Sequence, residues 1–129
     1  MAVKYLSEEW AKEVNTLLQA SEAVKNAAKG QNITLQQVVT EVPEQGEVKS
    51  AFKIADGVPA LELGEAENPE ATVTQNYETA VALNKGELQG QAAFMQGKIK
   101  ISGNLMKVMQ LQGFLQAAGD ATKELEIEY

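Results

Sequence analysis

Trp10, Val14, Leu17 and Leu18 recur at three- and four-residue intervals, with Ser21 on the same face. That spacing draws one apolar stripe along a helix. Ser7 stands ready to cap it and Leu6 to act as a staple residue. Glu8 and Glu9 in the first turn suit the positive end of the helix dipole. The pattern predicts a helix over 8–20, with a continuation or second short helix to Lys29, where Gly30 stops it. The period then changes. "ITLQQVVTEV" (33–42) is rich in β-branched residues and reads as a strand. "PEQGE" (43–47) is turn material. In 48–55, Val48, Ser50, Phe52 and Ile54 alternate with Lys49, Ala51 and Lys53, the signature of a half-buried antiparallel strand. Asp56-Gly57 is a hairpin turn signal. In "VPALELG" (58–64), Pro59 lacks a donor N–H and predicts an edge strand. Three strands joined by short turns make a meander.

An acidic loop, "GEAENPE" (64–70), precedes a short strand, "ATVTQ" (71–75). Asn76 is a cap residue for a helix carrying Tyr77, Ala80, Val81 and Leu83, with Gly86 as its stop. Residues 87–97 read as another short helix, "KIKIS" (98–102) as the last strand, and 104–119 as the last helix, capped by Asn104 and bent near Gly113. The tail "DATKELEIEY" is polar. Helices between strands 71–75 and 98–102 predict a crossover connection between them. The expected architecture is α+β, one mixed sheet with helices packed on one face. Its length fits one domain, 1–129, with its core in 8–118 and a tail at 119–129.

The last helix is apolar around more of its circumference than docking on a sheet requires. Leu105, Val108, Met109 and Leu115 share a broad face that Leu111, Phe114 and Ala118 extend, and three of the four methionines (Met95, Met106, Met109) cluster around the final strand. Methionine is flexible and polarisable, suited to walls that meet varied apolar shapes. Periodicity alone leaves three uses open: an ordinary sealed core, an apolar ligand cavity under the helix, or a seam with a second copy of the chain.

Charge and composition remove other classes. The chain carries 11 Lys and Arg against 18 Asp and Glu, a net charge of −7. It has no excess of cations to displace counterions from nucleic acid. There is no Cys, hence no disulfide framework, and no His, the commonest general base and metal ligand. The serines therefore have no triad partner. The glycine-containing stretches lack the Gly-Lys-Ser/Thr end of a phosphate loop. Glu62, Glu65, Glu67 and Glu70 read as a solvated charge run rather than a cation site. No stretch approaches the ~20 apolar residues of a membrane span. "MAVKYLSEEW" does not resemble a signal peptide, and "KELEIEY" is neither a prenylation box nor a peroxisomal address. These features predict a soluble cytoplasmic protein without cofactor or metal.

The segment "AAFMQGKIKISGNLMKVMQLQGFL" (92–115) resembles the most characteristic segment of the sterol carrier protein type 2 domain family. There an aromatic-containing helix end leads into Gly-Lys-hydrophobic-Lys-hydrophobic-x-Gly-Asn/Asp, then an apolar helix with Met-x-Leu-Gln. Phe94, Gln96, Gly97, Lys98, Ile99, Lys100, Ile101, Gly103, Asn104, Met109, Leu111 and Gln112 carry the match. The element order agrees over about 8–118. The resemblance implies an α/β sandwich with a five-stranded mixed sheet in the order 3-2-1-4-5, helices over one face and an apolar tunnel between. It implies a non-catalytic carrier of fatty acid, fatty acyl-CoA or a sterol-like lipid.

With the alternation of the strands, the resemblance singles out Phe52, Ile54, Leu61, Leu63, Val81, Leu88, Phe94, Met95, Ile99, Ile101, Leu105, Met106, Met109 and Phe114 as tunnel walls, with Gln112 at the mouth. Each suits a sealed core equally well. Lys98 and Lys100 either steer an anionic head group or protect the outer face of their strand. The expected partner is a lipid or fatty acyl ligand, with no nucleic acid; transient membrane contact and a homodimer remain open alternatives.

Overall fold

The computed structural model describes residues 2–129. Along the chain run β1 (Val3–Lys4), α1 (Glu8–Ala20), α2 (Glu22–Ala28), β2 (Ile33–Val42), β3 (Gly46–Ala55), β4 (Val58–Leu63) and β5 (Ala71–Asn76). There follow α3 (Tyr77–Asn84), α4 (Gly90–Met95), β6 (Ile99–Gly103), α5 (Leu105–Gln110), α6 (Gln112–Thr122) and β7 (Ile127–Glu128). Three helices begin at the expected caps. Ser7 Oγ accepts from the Trp10 N–H at 3.1 Å, Asn76 Oδ1 from Thr79 at 2.8 Å and Asn104 Oδ1 from Lys107 at 3.3 Å. Ser21 does not continue α1. Its extended backbone breaks the helix, and its Oγ caps α2 by accepting from the Val24 N–H; a hydroxyl close to the backbone favours that break.

The five-stranded sheet runs β4-β3-β2-β5-β6, the order the resemblance implies. Asp56 and Gly57 both adopt positive φ, 51° and 80°, as the tight turn between β3 and β4 requires. β4 is an edge strand, and α1 closes it. Asn15 Nδ2 donates to the Leu61 carbonyl at 2.7 Å while Asn15 Oδ1 accepts from the Leu61 N–H at 2.6 Å. One amide thus occupies both free backbone groups of Leu61, which would otherwise template another strand.

The expected crossover between strands 71–75 and 98–102 is not what forms: β5 and β6 are adjacent and antiparallel. The helical connection returns the chain to the end of the sheet it left. The parallel pair is instead β2 with β5. The loop 64–70 carries the chain from β4 to β5 across the outer face, held there by Gln36, whose Oε1 accepts from the Ala66 N–H at 2.6 Å and whose Nε2 donates to the Ser50 carbonyl at 2.6 Å. Glu62 and Glu65 of the acidic run pair with Lys53 and Lys49, and the Glu70 carboxylate accepts from the Thr34 N–H.

Two elements have no counterpart in the sequence reading. β1 and β7 pair in parallel, Val3 with Ile127, joining the two ends of the chain. Tyr5 follows β1 into an aromatic cluster, 5.1 Å from Trp10, 6.0 Å from Tyr77 and 5.2 Å from Tyr129 between ring centroids. Burial pushes the Tyr5 phenol well above the usual tyrosine range; Tyr129 adds to the shift and an Asn84 hydrogen bond opposes it. The folded chain therefore keeps a proton that the unfolded chain loses near pH ~10. Stability contributed by Tyr5 is full below that value and falls as the pH rises beyond it. Thermal melts from about pH 9 to pH 11.5 should show a falling Tm for the wild type and a flatter profile for Tyr5→Phe. A wild-type profile as flat as that of the variant contradicts this.

The last helix bends at Leu111, two residues before the expected Gly113. Leu111 and Phe114 are both about 1% exposed, and the break lets both reach the core. α6 packs against α1 and α2.

Candidate functional site

The register of the sheet places Leu35, Phe52 and Leu61 side by side on one face, with Ile33, Ile54 and Pro59 as the next row. On the other side of β2 the same face continues through Val73 and Ile101. This inner face is apolar and lies under the helices. Its burial is uneven. Ile54, Leu61 and Ile99 are buried, whereas Val48, Phe52, Leu63, Val73 and Ile101 are only partly covered. Phe114 descends from α6 onto this face, its ring edge-on to Phe52 with centroids 5.8 Å apart.

The helices that flank β6 behave differently from the rest. On α5, Val108 is buried, but Leu105 (44% exposed), Met106 (67%) and Met109 (56%) stand at the surface. On α4, Ala93 is buried while Phe94 (43%) and Met95 (79%) are exposed. The wide apolar arc read in the sequence is thus real but only partly buried: α5 uses one side to dock and shows the other. Val81 on α3 is partly buried against the core. Leu88 lies elsewhere, in an open concavity with Asn76, Glu78, Thr79, Ala82, Gly97 and Lys98. Gln112 is exposed.

Apart from Leu88, the expected wall residues therefore fall into three groups. Ile54, Leu61, Ile99 and Phe114 form a packed floor; Phe52, Leu63, Val81 and Ile101 form a half-covered margin; Phe94, Met95, Leu105, Met106 and Met109 form an exposed rim on α4 and α5. The inner face also carries polar residues outside the expected set of site residues. Gln37 and Ser50 face each other in register, and Gln75 stands beside Val39 and opposite Ile99. Gln75 Oε1 is buried without a hydrogen-bond partner among the described residues. The alternation of Val73 and Gln75 with Thr72 and Thr74 was the available signal. Among the described residues there is no group of three or more Cys, His, Asp or Glu placed to hold a metal ion, and no helix is long and apolar enough to cross a membrane.

A five-stranded mixed sheet with one largely apolar face under helices defines an α+β sandwich. Residues 14–116 match the SCP-2 sterol transfer family, and the chain belongs to that family. It is 29% identical over 112 residues to the human sterol carrier protein 2, an alignment covering 70% of this chain and 20% of that protein. The chain thus spans about a fifth of the length of that relative. A crystal structure of sterol carrier protein 2 superposes with a TM-score of 0.78 at 22% identity, covering 95% of this chain and 99% of that one. The solution structure of sterol carrier protein domain 2 from Helicoverpa armigera gives a TM-score of 0.65 at 28% identity, covering 86% and 87%.

Proposed function

We propose that the chain binds the apolar portion of a lipid, such as a fatty acid, a fatty acyl-CoA or a sterol-like molecule, between the inner sheet face and helices α4 and α5, and carries it without catalysis. The observation that supports this reading most is the partial cover of that face. Val73 and Ile101, on the strands that α5 and α4 pack against, are left half-buried, Phe52 and Leu63 are half-buried farther across the same sheet face, and five apolar side chains on α4 and α5 are exposed. A single domain gains nothing from such a rim, and patches of this kind mark binding surfaces. An acyl chain laid there replaces water on both layers, and the flexible methionines adapt to its shape. With no Cys and no His in the chain, the reading needs no reacting group, and a reducing cytoplasm suits it.

Displacement of a fluorescent fatty acid tests it. Binding should be saturable at micromolar probe, and native mass spectrometry should detect co-purified lipid. Each buried CH2 contributes about 0.8 kcal/mol, so removing two methylenes from a competing fatty acid should weaken it roughly fifteenfold. Met109→Trp should block uptake. No saturable binding and no co-purified lipid would overturn the reading. A Met109→Trp variant that binds normally but changes its oligomeric state points instead to a seam between copies.

A further inference from the structure

Gln75 breaks the pattern that its strand keeps. It follows Ala71 and Val73 on the inner face of β5, beside Val39 of β2 and opposite Ile99 of β6. Both of those neighbours are buried and apolar. Its Oε1 is buried with no hydrogen-bond partner, the one side-chain atom in that state among the described residues. A buried acceptor left unpaired has given up its water for nothing. A valine or leucine at this position would continue the apolar face and spare the sheet that cost. Buried polar groups in folded proteins are almost always paired, and local rules are broken where function requires it. Gln75 as a residue is only partly buried. Val73, two residues earlier on the same face, and Ile101 opposite Val73 are half-covered as well. The amide therefore borders the half-covered strip of β5 and β6 against which α5 and α4 pack.

The missing partner must donate, because a carbonyl oxygen only accepts. It must also be uncharged. The paired inner-face positions of the five strands hold no charged side chain, and Lys49, Lys53 and Lys100 fall on the alternate positions. A charge buried among these residues would have no counter-ion, whereas a hydroxyl needs only its hydrogen bond. Water is the poorer candidate. A buried water typically makes about three hydrogen bonds, and among the inner-face neighbours of Gln75 by register only Gln37, diagonal on β2, is polar. A hydroxyl carried on an apolar chain meets each condition: the O–H reaches Oε1, and the chain covers Val73 and Ile101.

We infer that Gln75 selects ligands bearing an uncharged hydroxyl, its Oε1 accepting from the ligand O–H on the inner sheet face while the apolar chain lies along Val73 and Ile101. The inference rests on the lipid-binding reading and adds to it the polar chemistry of the ligand. Hexadecanol and its isomer methyl pentadecyl ether match in size and differ in the O–H; each competes against a fluorescent fatty acid on the full chain. Hexadecanol should compete about tenfold better on wild type. Gln75→Met keeps the volume and removes the acceptor, and it should bring the two competitors within about twofold of each other; Gln75→Leu should do the same. Both substitutions should raise the Tm of the ligand-free protein by about 2–5 °C, because no acceptor is left orphaned. Thr74→Val, on the opposite face of β5, should keep the tenfold preference. Equal competition by alcohol and ether on wild type overturns the inference and leaves lipid binding standing, whereas no saturable probe binding overturns both. The inference also fails if Gln75→Met and Gln75→Leu keep the preference, or if Thr74→Val loses it. A Tm that falls in both Gln75 variants overturns it too, since the amide is then satisfied by the protein's own structure.

Discussion

Phe114→Ala should lower the stability of the protein by about 3–5 kcal/mol, the range for truncating a buried aromatic ring. Phe114 is the largest of the fully buried side chains and is 1% exposed. Its cost exceeds that of an average core residue for a positional reason. α6 packs on α1 and α2, and Phe114 also reaches the sheet, meeting Phe52 edge-on at 5.8 Å. Truncation removes the apolar area of the ring, leaves a cavity and takes the aromatic partner from Phe52. For a chain of this length the Tm should fall by roughly 10–20 °C. Phe114→Leu keeps most of the volume and should cost much less, about 1–2 kcal/mol. A drop of less than about 3 °C for the alanine variant would mean that α6 is not anchored to the sheet through this ring.

What the sequence disclosed follows from how local each signal is. The caps at Ser7, Asn76 and Asn104 and the Asp56-Gly57 turn are decided within four residues, and each stands where expected. Pro59 marked its strand as an edge because a missing N–H is a property of one residue. The β1–β7 pairing joins residues more than 120 positions apart, and nothing in "VK" or "IE" announces it. The direction of β6 was misread for a related reason. Two helices between strands suggest a parallel return, yet α3 and α4 together bring the chain back to the end it left. In the site, alternation located the floor residues Ile54, Leu61 and Ile99, because a strand period of two fixes their face. It did not distinguish Met106 and Met109 from core. Helical periodicity reports the width of an apolar arc, while the height at which a short helix rides over a sheet is set by tertiary packing. The arc was legible; its exposure was not.

Gly103→Ala should be as disruptive as many core truncations, although it adds a single methyl to an exposed residue. Gly103 has a φ of +92°, and a Cβ built there would lie 2.7 Å from the Glu70 carbonyl oxygen and 3.0 Å from the Ala71 Cα. Both neighbours are backbone, so no side chain can swing away. Positive φ costs an L-residue about 1–2 kcal/mol and the overlap about 1–3 kcal/mol more, together some 2–5 kcal/mol. The damage should concentrate where β6 meets β5 and where Asn104 caps α5, because the Asn104 N–H donates to the same Glu70 carbonyl. Thermal melting should drop by about 10 °C, and backbone amides of β6 and the first turn of α5 should lose hydrogen-exchange protection before those of β2 and β3. Two other glycines separate this local collision from a general glycine effect. Gly97 has a φ of +77° but open space around it, so its alanine variant should incur the backbone cost alone. Gly113 lies in α6 with neither positive φ nor a close neighbour, and Gly113→Ala should stabilise by up to about 1 kcal/mol. Equal effects at the three positions would contradict the account of Gly103. The expected ranking, with Gly113 of opposite sign, would show that the Gly-Asn step ending β6 is kept by the close approach of β5 and by the cap it launches.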